Sequence, residues 1–310
     1  MKMIYPYVDL IQQEPGLDGM FRHIERCGRT CYKSEDKITD SSADTFVANL
    51  IKNKHYAILE HGTVYLTVSH KTPPINDITT YYSRYKENPY SVVNTDDDFV
   101  YVTTNYRVLL ENGWLDDLQY ICEPTECHVP RITLKFVTNI GVTREGNRHR
   151  TFSIAEESTR YCNYCKDKFN NEITYVIPAY FTNKLPAGHY KMTATSFECN
   201  NKAIDINSKD NLKLRPYLYL LQCAENMYLK SISLGATPQQ AREILPLATK
   251  SEVVYTAFPH QWKHFFDLRL FGTTGKPHPN MKEIAELAQG VLEENGLWEL
   301  IYPDYDYESM

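Results

Sequence analysis

Apolar side chains recur at two spacings along the chain, and the spacing divides it into helices and strands. Phe46, Val47, Leu50 and Ile51 share the face of a helix that Ser41-Ser42-Ala43-Asp44 can cap. Val64, Leu66 and Val68 then alternate with their neighbours, which predicts a strand over Thr63 to Val68. A second alternation sets Ile132, Leu134 and Phe136 against Thr133, Lys135 and Val137, predicting a strand with one mostly buried face.

From Asn211 to Leu234, the positions Leu214, Leu218, Leu221, Met227 and Leu234 predict a long helix stopped by Gly235. Pro216 must then lie in its first turn, because deeper inside it would break the hydrogen-bond ladder. Thr237-Pro238-Gln239-Gln240 predicts a short helix, with threonine at the cap and proline at the first helical position, carrying Arg242 and ending near Leu245-Pro246. Glu252 to Thr256 reads as a strand and Pro259 to Leu270 as a helix with Trp262, Phe266 and Leu270 on one face. Met281 to Glu293 reads as a last amphipathic helix closed by Gly296. Residues 71–98, with Pro73-Pro74, Asn88-Pro89 and Asp96-Asp97-Asp98, predict a long loop or insertion. Without regular β-α alternation, the expectation is an α+β fold of mixed helices around a mainly antiparallel sheet. It forms a single catalytic domain over 1–310, with insertions near 71–98 and 163–210.

Composition narrows the class. The 310 residues are 42% hydrophobic and 23% charged, as in a soluble globular enzyme. No run approaches 18 apolar residues and Met1-Lys2-Met3-Ile4-Tyr5-Pro6 lacks the apolar stretch of a signal peptide, so a cytoplasmic location without membrane contact is expected. Lys plus Arg is 33 against 39 for Asp plus Glu, and a net charge of −6 disfavours a duplex-DNA binder with a broad basic face. The eight cysteines are too dilute for a secreted disulfide scaffold, and Cys162-x2-Cys165 has no second pair of regular spacing, so free thiols are expected. His260 and His264 have metal-ligand spacing on a helix but no His-Glu-x-x-His accompanies them, so no metal is assigned. The 24 tyrosines suit cores and subunit interfaces, and the acidic run Asp304 to Glu308 reads as a frayed end.

Glycine-rich phosphate loops are absent, so an anionic ligand must be met by side chains. The candidates are Arg144, Arg148, Arg150 and Arg160, although Glu145, Glu156 and Glu157 offset much of their charge. Their order is specific. Arg148-His149-Arg150, seven residues, then Ser158, with Glu156 and Arg160-Tyr161 alongside, resembles the signature of the flavin-dependent thymidylate synthases. His55-x4-Glu60-His61, Ala241-Arg242-Glu243-Ile244-Leu245-Pro246 and His264-Phe265-Phe266-Asp267-Leu268-Arg269 resemble three further segments of that family, in the same order.

The resemblance implies an α+β homotetramer with shared active sites, FAD as cofactor, and NADPH and methylenetetrahydrofolate as co-substrates in making dTMP from dUMP. It implies that Arg148, His149, Arg150, Glu156, His55, His260 and His264 serve the flavin. Glu145, Arg148, Glu156, Glu157, Ser158, Thr159, Arg160, Arg242 and Arg269 would hold dUMP. Arg269 would be catalytic, because a fixed guanidinium beside the uracil stabilises negative charge that builds only in the transition state. A cysteine nucleophile is disfavoured, since Cys127-His128 is the lone Cys-His neighbour pair. The chain departs from the family pattern at Ala155, where an asparagine is usual, and at Phe258-Pro259-His260 in place of Asn-x-Arg. These changes bear on FAD affinity. The competing readings are a single-stranded nucleic-acid binder, an inactive relative, and a zinc hydrolase built on His260, His264 and nearby cysteines.

Overall fold

The computed structural model describes residues 1–71, 83–194 and 196–303. Apolar strand faces and helix stripes assemble into three sheets, each with its own helical cover. The strands are β1 Lys2–Ile4, β2 Tyr7–Leu10, β3 Thr63–Ser69, β4 Val92–Thr95, β5 Phe99–Asn105 and β6 Ile132–Asn139. Then come β7 Ser153–Glu156, β8 Thr174–Val176, β9 Gly188–Met192, β10 Phe197–Cys199, β11 Lys202–Ile204 and β12 Lys250–Ala257. Their orders are β2-β6-β12-β7, β3-β5-β4 and β11-β10-β9-β1-β8, and every pairing between named strands is antiparallel except β1 with β8. The α+β expectation therefore holds, with the antiparallel structure divided among three sheets.

The four-stranded sheet carries the site. β6 lies inside it, between β2 and β12, so Thr133, Val137, Thr138 and Asn139 are buried as well as Leu134 and Phe136. The expected single buried face is thus corrected to two, with Lys135 the half-buried exception. β12 pairs with β6 over its whole length, Glu252 opposite Val137 and Val253 opposite Phe136. Because a strand alternates its faces, Ser251, Val253, Tyr255 and Ala257 point to one side and Lys250, Glu252, Val254 and Thr256 to the other. Val253, Tyr255 and Ala257 join Trp262, Phe265 and Phe266 of helix Pro259–Arg269 and Ile284 and Ala288 of helix Pro279–Glu294 in the largest core. Val254, on the reverse, packs with Ile11, Cys27 and Ala155.

Helices Gly16–Thr30 and Ser42–Lys52 cover the three-stranded sheet through Met20, Ile24, Val47 and Leu50. Helix Leu214–Ser233 covers the five-stranded one through Leu214, Leu218, Leu221 and Tyr228. Pro216 does fall in its first turn, and Gly235, at φ +95°, ends the run with its amide donating to the Ile232 carbonyl at 2.9 Å. The short helix Pro238–Ala241 is capped as expected, the Thr237 amide donating to Gln240 Oε1 at 2.9 Å.

The expected loop over 71–98 is corrected. Residues 83–86 are helical, Tyr85 is buried against Trp114 with its hydroxyl on Asp117 at 2.5 Å, and Val92–Thr95 pairs with β5. Residues 72–82 and the acidic tail fall outside the described residues. Residues 163–210, expected as an insertion, supply β8 to β11.

Candidate active site

Helix Ile140–Gly146 follows β6, its cap Asn139 accepting from the Val142 amide at 3.0 Å. It packs so close to β12 that a Cβ on Gly146 would stand 2.2 Å from the Tyr255 hydroxyl. The turn after it brings His149 inward to Arg269, which ends helix Pro259–Arg269. Arg269 donates from Nε to His149 Nε2 at 3.2 Å and from Nη2 to the Glu145 carbonyl at 3.3 Å, and its Nη1 is 3.3 Å from Glu145 Oε2. His149 accepts in this arrangement and is neutral; burial, reinforced by the adjacent Arg269 charge, lowers its pKa to about 4. Arg148, His149, His264 and Arg269 line a cavity of about 470 Å³, closed on its far side by Lys276 and His278 of the loop before the last helix. No carboxylate is among its lining residues, so it is a cationic pocket.

A second cavity, of about 480 Å³, is lined in part by helix Ile140–Gly146, through Ile140 and Arg144. Glu156, Glu157, Ser158 and Thr159 at the end of β7 line it with Ser251 of β12, Arg144 and Arg242. Glu156 is fixed from two sides, accepting from Asn147 Nδ2 at 2.8 Å and from Ser251 Oγ at 3.0 Å. Arg242 is paired at 3.4 Å with the exposed Glu243, and Arg160 is exposed, its Nε donating to Gln239 at 3.0 Å. This pocket mixes both charges with hydroxyl groups.

Beneath it lies a set of buried ions. Lys250 Nζ is 2.7 Å from Glu157 Oε2 and 2.7 Å from Glu252 Oε1, while Glu252 Oε2 meets Lys33 at 3.0 Å and Lys135 at 3.6 Å. Burial opposes the charge on Glu252, but Lys250 and Lys33 overcome it and hold its pKa down to about 2. Glu157, whose paired cation is Lys250, is pushed up by burial.

The structure thus gathers Arg148, His149, His264 and Arg269 at one pocket and Glu156, Glu157, Ser158, Thr159 and Arg242 at the other. Glu145 stands behind Arg269. His55, Arg150, Arg160 and His260 border neither pocket: His55, Arg150 and Arg160 are exposed, and His260 stacks on Phe258 at 5.7 Å. His61 of the upstream segment is buried under β12, its Nδ1 2.8 Å from Thr256 Oγ1, and Glu60 is bound by Arg107 at 2.6 Å. The eight cysteines are free thiols. Among the described residues no cluster of three His, Cys, Asp or Glu is set to hold a metal, and no helix is long and apolar enough to cross a membrane.

Sequence reasoning assigned no role to Lys250, Ser251, Lys276 or His278. The signals were present: Thr274-Gly275-Lys276-Pro277-His278 is a basic turn directly after Arg269, and Lys250 and Glu252 put opposite charges on one face of a strand. Chemically, the cationic pocket suits phosphate-type anions, and the mixed pocket offers hydroxyls and guanidinium for an anion with a fixed carboxylate for an N–H donor.

The flavin-dependent thymidylate synthase of Pyrococcus furiosus is 29% identical over 147 residues, 47% of this chain, so the match spans about half (46%) of that relative's length. The UMP/dUMP methylase PolB of Streptomyces cacaoi, solved with 5-Br dUMP and with 5-Br UMP, aligns over 98% and 97% of this chain and 97% and 96% of its own. Identities are 15% and 13% and TM-scores 0.44 and 0.45, too low to carry an argument. The family described as thymidylate synthase complementing protein matches residues 123–298, which include both pockets' principal residues, and the chain belongs to that family.

Proposed function

We propose that this protein is an FAD-dependent thymidylate synthase, methylating carbon 5 of dUMP with methylenetetrahydrofolate as the carbon source and NADPH as the reductant. The observation that carries the reading is Arg269, held by Glu145 and His149 in the cationic pocket, within the stretch that matches the family. FAD, when bound, supplies the redox chemistry. The residues of the cationic pocket fit such a group, because Arg148, Arg269 and Lys276 line a wall without a carboxylate and a flavin dinucleotide brings a pyrophosphate.

In this reading the mixed pocket takes dUMP. Ser158, Thr159, Arg242 and Arg144 hold the phosphate, and Glu156, pinned by Asn147 and Ser251, accepts from the pyrimidine N–H. Arg269 stabilises the negative charge that develops on the ring when carbon 5 is alkylated, and its pairing with Glu145 and His149 fixes it before reaction. His55, Arg150 and His260 then serve sites shared with other subunits of a homotetramer. Exposed Leu220, Met227 and Leu234 along helix Leu214–Ser233 and its end support packing between copies. Free thiols agree with a cytoplasmic setting.

The test is the absorption spectrum of the protein reconstituted with FAD, followed by chromatography of the nucleotide. Oxidised-flavin bands that bleach with NADPH without oxygen, and dTMP formed from dUMP only when folate is present, are expected. Colourless protein that takes up no FAD and makes no dTMP would overturn the reading. Oligonucleotide binding that falls steeply with salt would favour the nucleic-acid alternative instead.

A further inference from the structure

We infer that Lys250 is a positioning residue for the mixed pocket: its ammonium group keeps the Glu157 carboxylate inside the protein and thereby fixes the Glu156–Arg160 turn that lines the pocket. The inference rests on the reading of that pocket as the nucleotide site.

Glu157 lines the cavity in sequence order between Glu156 and Ser158, yet its side chain is only 1% exposed and is turned back onto Lys250. It therefore acts on the pocket through the backbone. Two hydrogen bonds hold that backbone: the Glu157 amide donates to the Glu252 carbonyl at 2.7 Å, and the Ser158 amide to the Cys31 carbonyl at 2.9 Å. Glu157 and Glu252, joined by the first of these bonds, also share Lys250 through their side chains, so moving the Glu157 side chain out to water would strain the bonds that hold the turn. Strand alternation explains how β12 serves both purposes, with Ser251 facing Glu156 in the cavity while Lys250 and Glu252 lie on the reverse face.

The network is asymmetric. Without Lys250, Glu252 would keep Lys33 and Lys135, whereas Glu157 would lose its direct cation. A buried carboxylate without a partner either takes a proton or moves to water. The groups facing Glu157 are Lys250 and Glu252 from β12, Lys33 from the segment after the first long helix, and Cys162 and Tyr164 from the turn that follows. Burial holds the Cys162 thiol up at about 12 and raises Tyr164 well above its usual value, so neither changes charge between pH 6 and 8.5. Lys33 and Glu252 stay charged there too. With Lys250 removed, Glu157 is left as the titrating group. Protonated at low pH it remains inside, and ionised at high pH it pulls the turn out of place.

The experiment measures dUMP dissociation constants by calorimetry on FAD-reconstituted wild type, Lys250→Met, Lys250→Arg and the double variant Lys250→Met/Glu157→Gln, from pH 6 to 8.5. Amide exchange of residues 156–161 is followed on the same samples. The expected ratio of the Lys250→Met constant to the wild-type constant is ~10 or more at pH 8.5 and shrinks toward pH 6. Exchange in 156–161 should rise in parallel, and flavin content should be unchanged. Lys250→Arg, and the double variant with no charge left to bury, should return the ratio to within about threefold and abolish its pH dependence.

A ratio near one for Lys250→Met, a loss that does not vary with pH, or no recovery in the double variant would overturn the inference. If wild type itself binds no dUMP while the exchange pattern follows expectation, the positioning role stands and the nucleotide reading of the pocket fails.

Discussion

The two cavities, one lined from helix Ile140–Gly146 and the other from the turn that follows it, are nearly equal in volume and opposite in electrostatic design. The cationic one has Arg148, Arg269 and Lys276 with no lining carboxylate, and its central guanidinium is aimed by Glu145 from behind. The mixed one has carboxylates in its wall and a compensated ion network underneath, Lys250 between Glu157 and Glu252. A cavity whose cations exceed its one supporting carboxylate, Glu145, binds anions strongly and responds to salt, whereas a balanced one gains direction and selectivity more than affinity. On this view one pocket grips and the other orients.

Arg269→Ala tests that contrast most severely. It should lower turnover by about 10²–10³, since a donor aimed at developing charge is lost, while dUMP affinity changes far less. Steady-state kinetics beside calorimetry separates the two, and equal losses in both would erase the distinction between pockets.

Acid comes next. His149 in the cationic pocket and His23 in the core both have pKa values lowered to about 4, each by burial first. The folded form prefers them neutral, so their stabilisation is complete above the unfolded value near 6.5 and is lost as pH falls through about 4. On the order of 3 kcal/mol is at stake for each. Chemical unfolding at pH 7, 5.5 and 4 should show stability falling with pH, and His149→Gln should flatten part of that fall. A profile indifferent to that substitution would mean His149 is not neutral beside Arg269.

Gly146→Ala acts on the packing of helix Ile140–Gly146 against β12. With the new Cβ 2.2 Å from the Tyr255 hydroxyl, helix or ring must shift at a cost of about 1–3 kcal/mol, read as a lower Tm. Because Arg144 of the mixed pocket lies on that helix and Arg148 and His149 of the cationic one follow it, both ligands should weaken, and unchanged binding of both would show that the helix does not position them. Smallest is Arg242→Ala, which removes one exposed guanidinium from the mixed pocket. A roughly tenfold weaker dUMP constant, about 1.4 kcal/mol, with FAD retention unaltered is expected from calorimetry.

Much of the scaffold around these pockets was legible in the sequence because periodicity and packing agreed. The alternation at Val64, Leu66 and Val68, the stripe Leu214, Leu218 and Leu221, and the Thr237-Pro238 start all appear where expected. Helix Gly16–Thr30 went unread because its buried face is made partly of Gly19, His23, Glu25 and Gly28, which do not register as apolar; Gly28 is small so that Phe46 and Ile58 can approach. The five-stranded sheet was hidden for another reason. Several of its strands span three residues, and β1 finds its partner at Thr174–Val176, a pairing no local pattern encodes. At the candidate site, residue order exposed the arginines, but direction was invisible: nothing in Glu156-Glu157-Ser158 says that the first carboxylate faces the cavity and the second an ammonium group below.

The ladder joining β6 to β12 has a consequence for how this family member tolerates insertions and deletions. Sliding Lys250–Ala257 by a single position against Ile132–Asn139 would invert every side chain, lowering a serine among lysines and raising two ionic groups into the cavity. Lengthening or shortening the link between Pro246 and Lys250 by one residue should therefore abolish ligand recognition more thoroughly than replacing any one lining residue, although that link contributes little chemistry of its own.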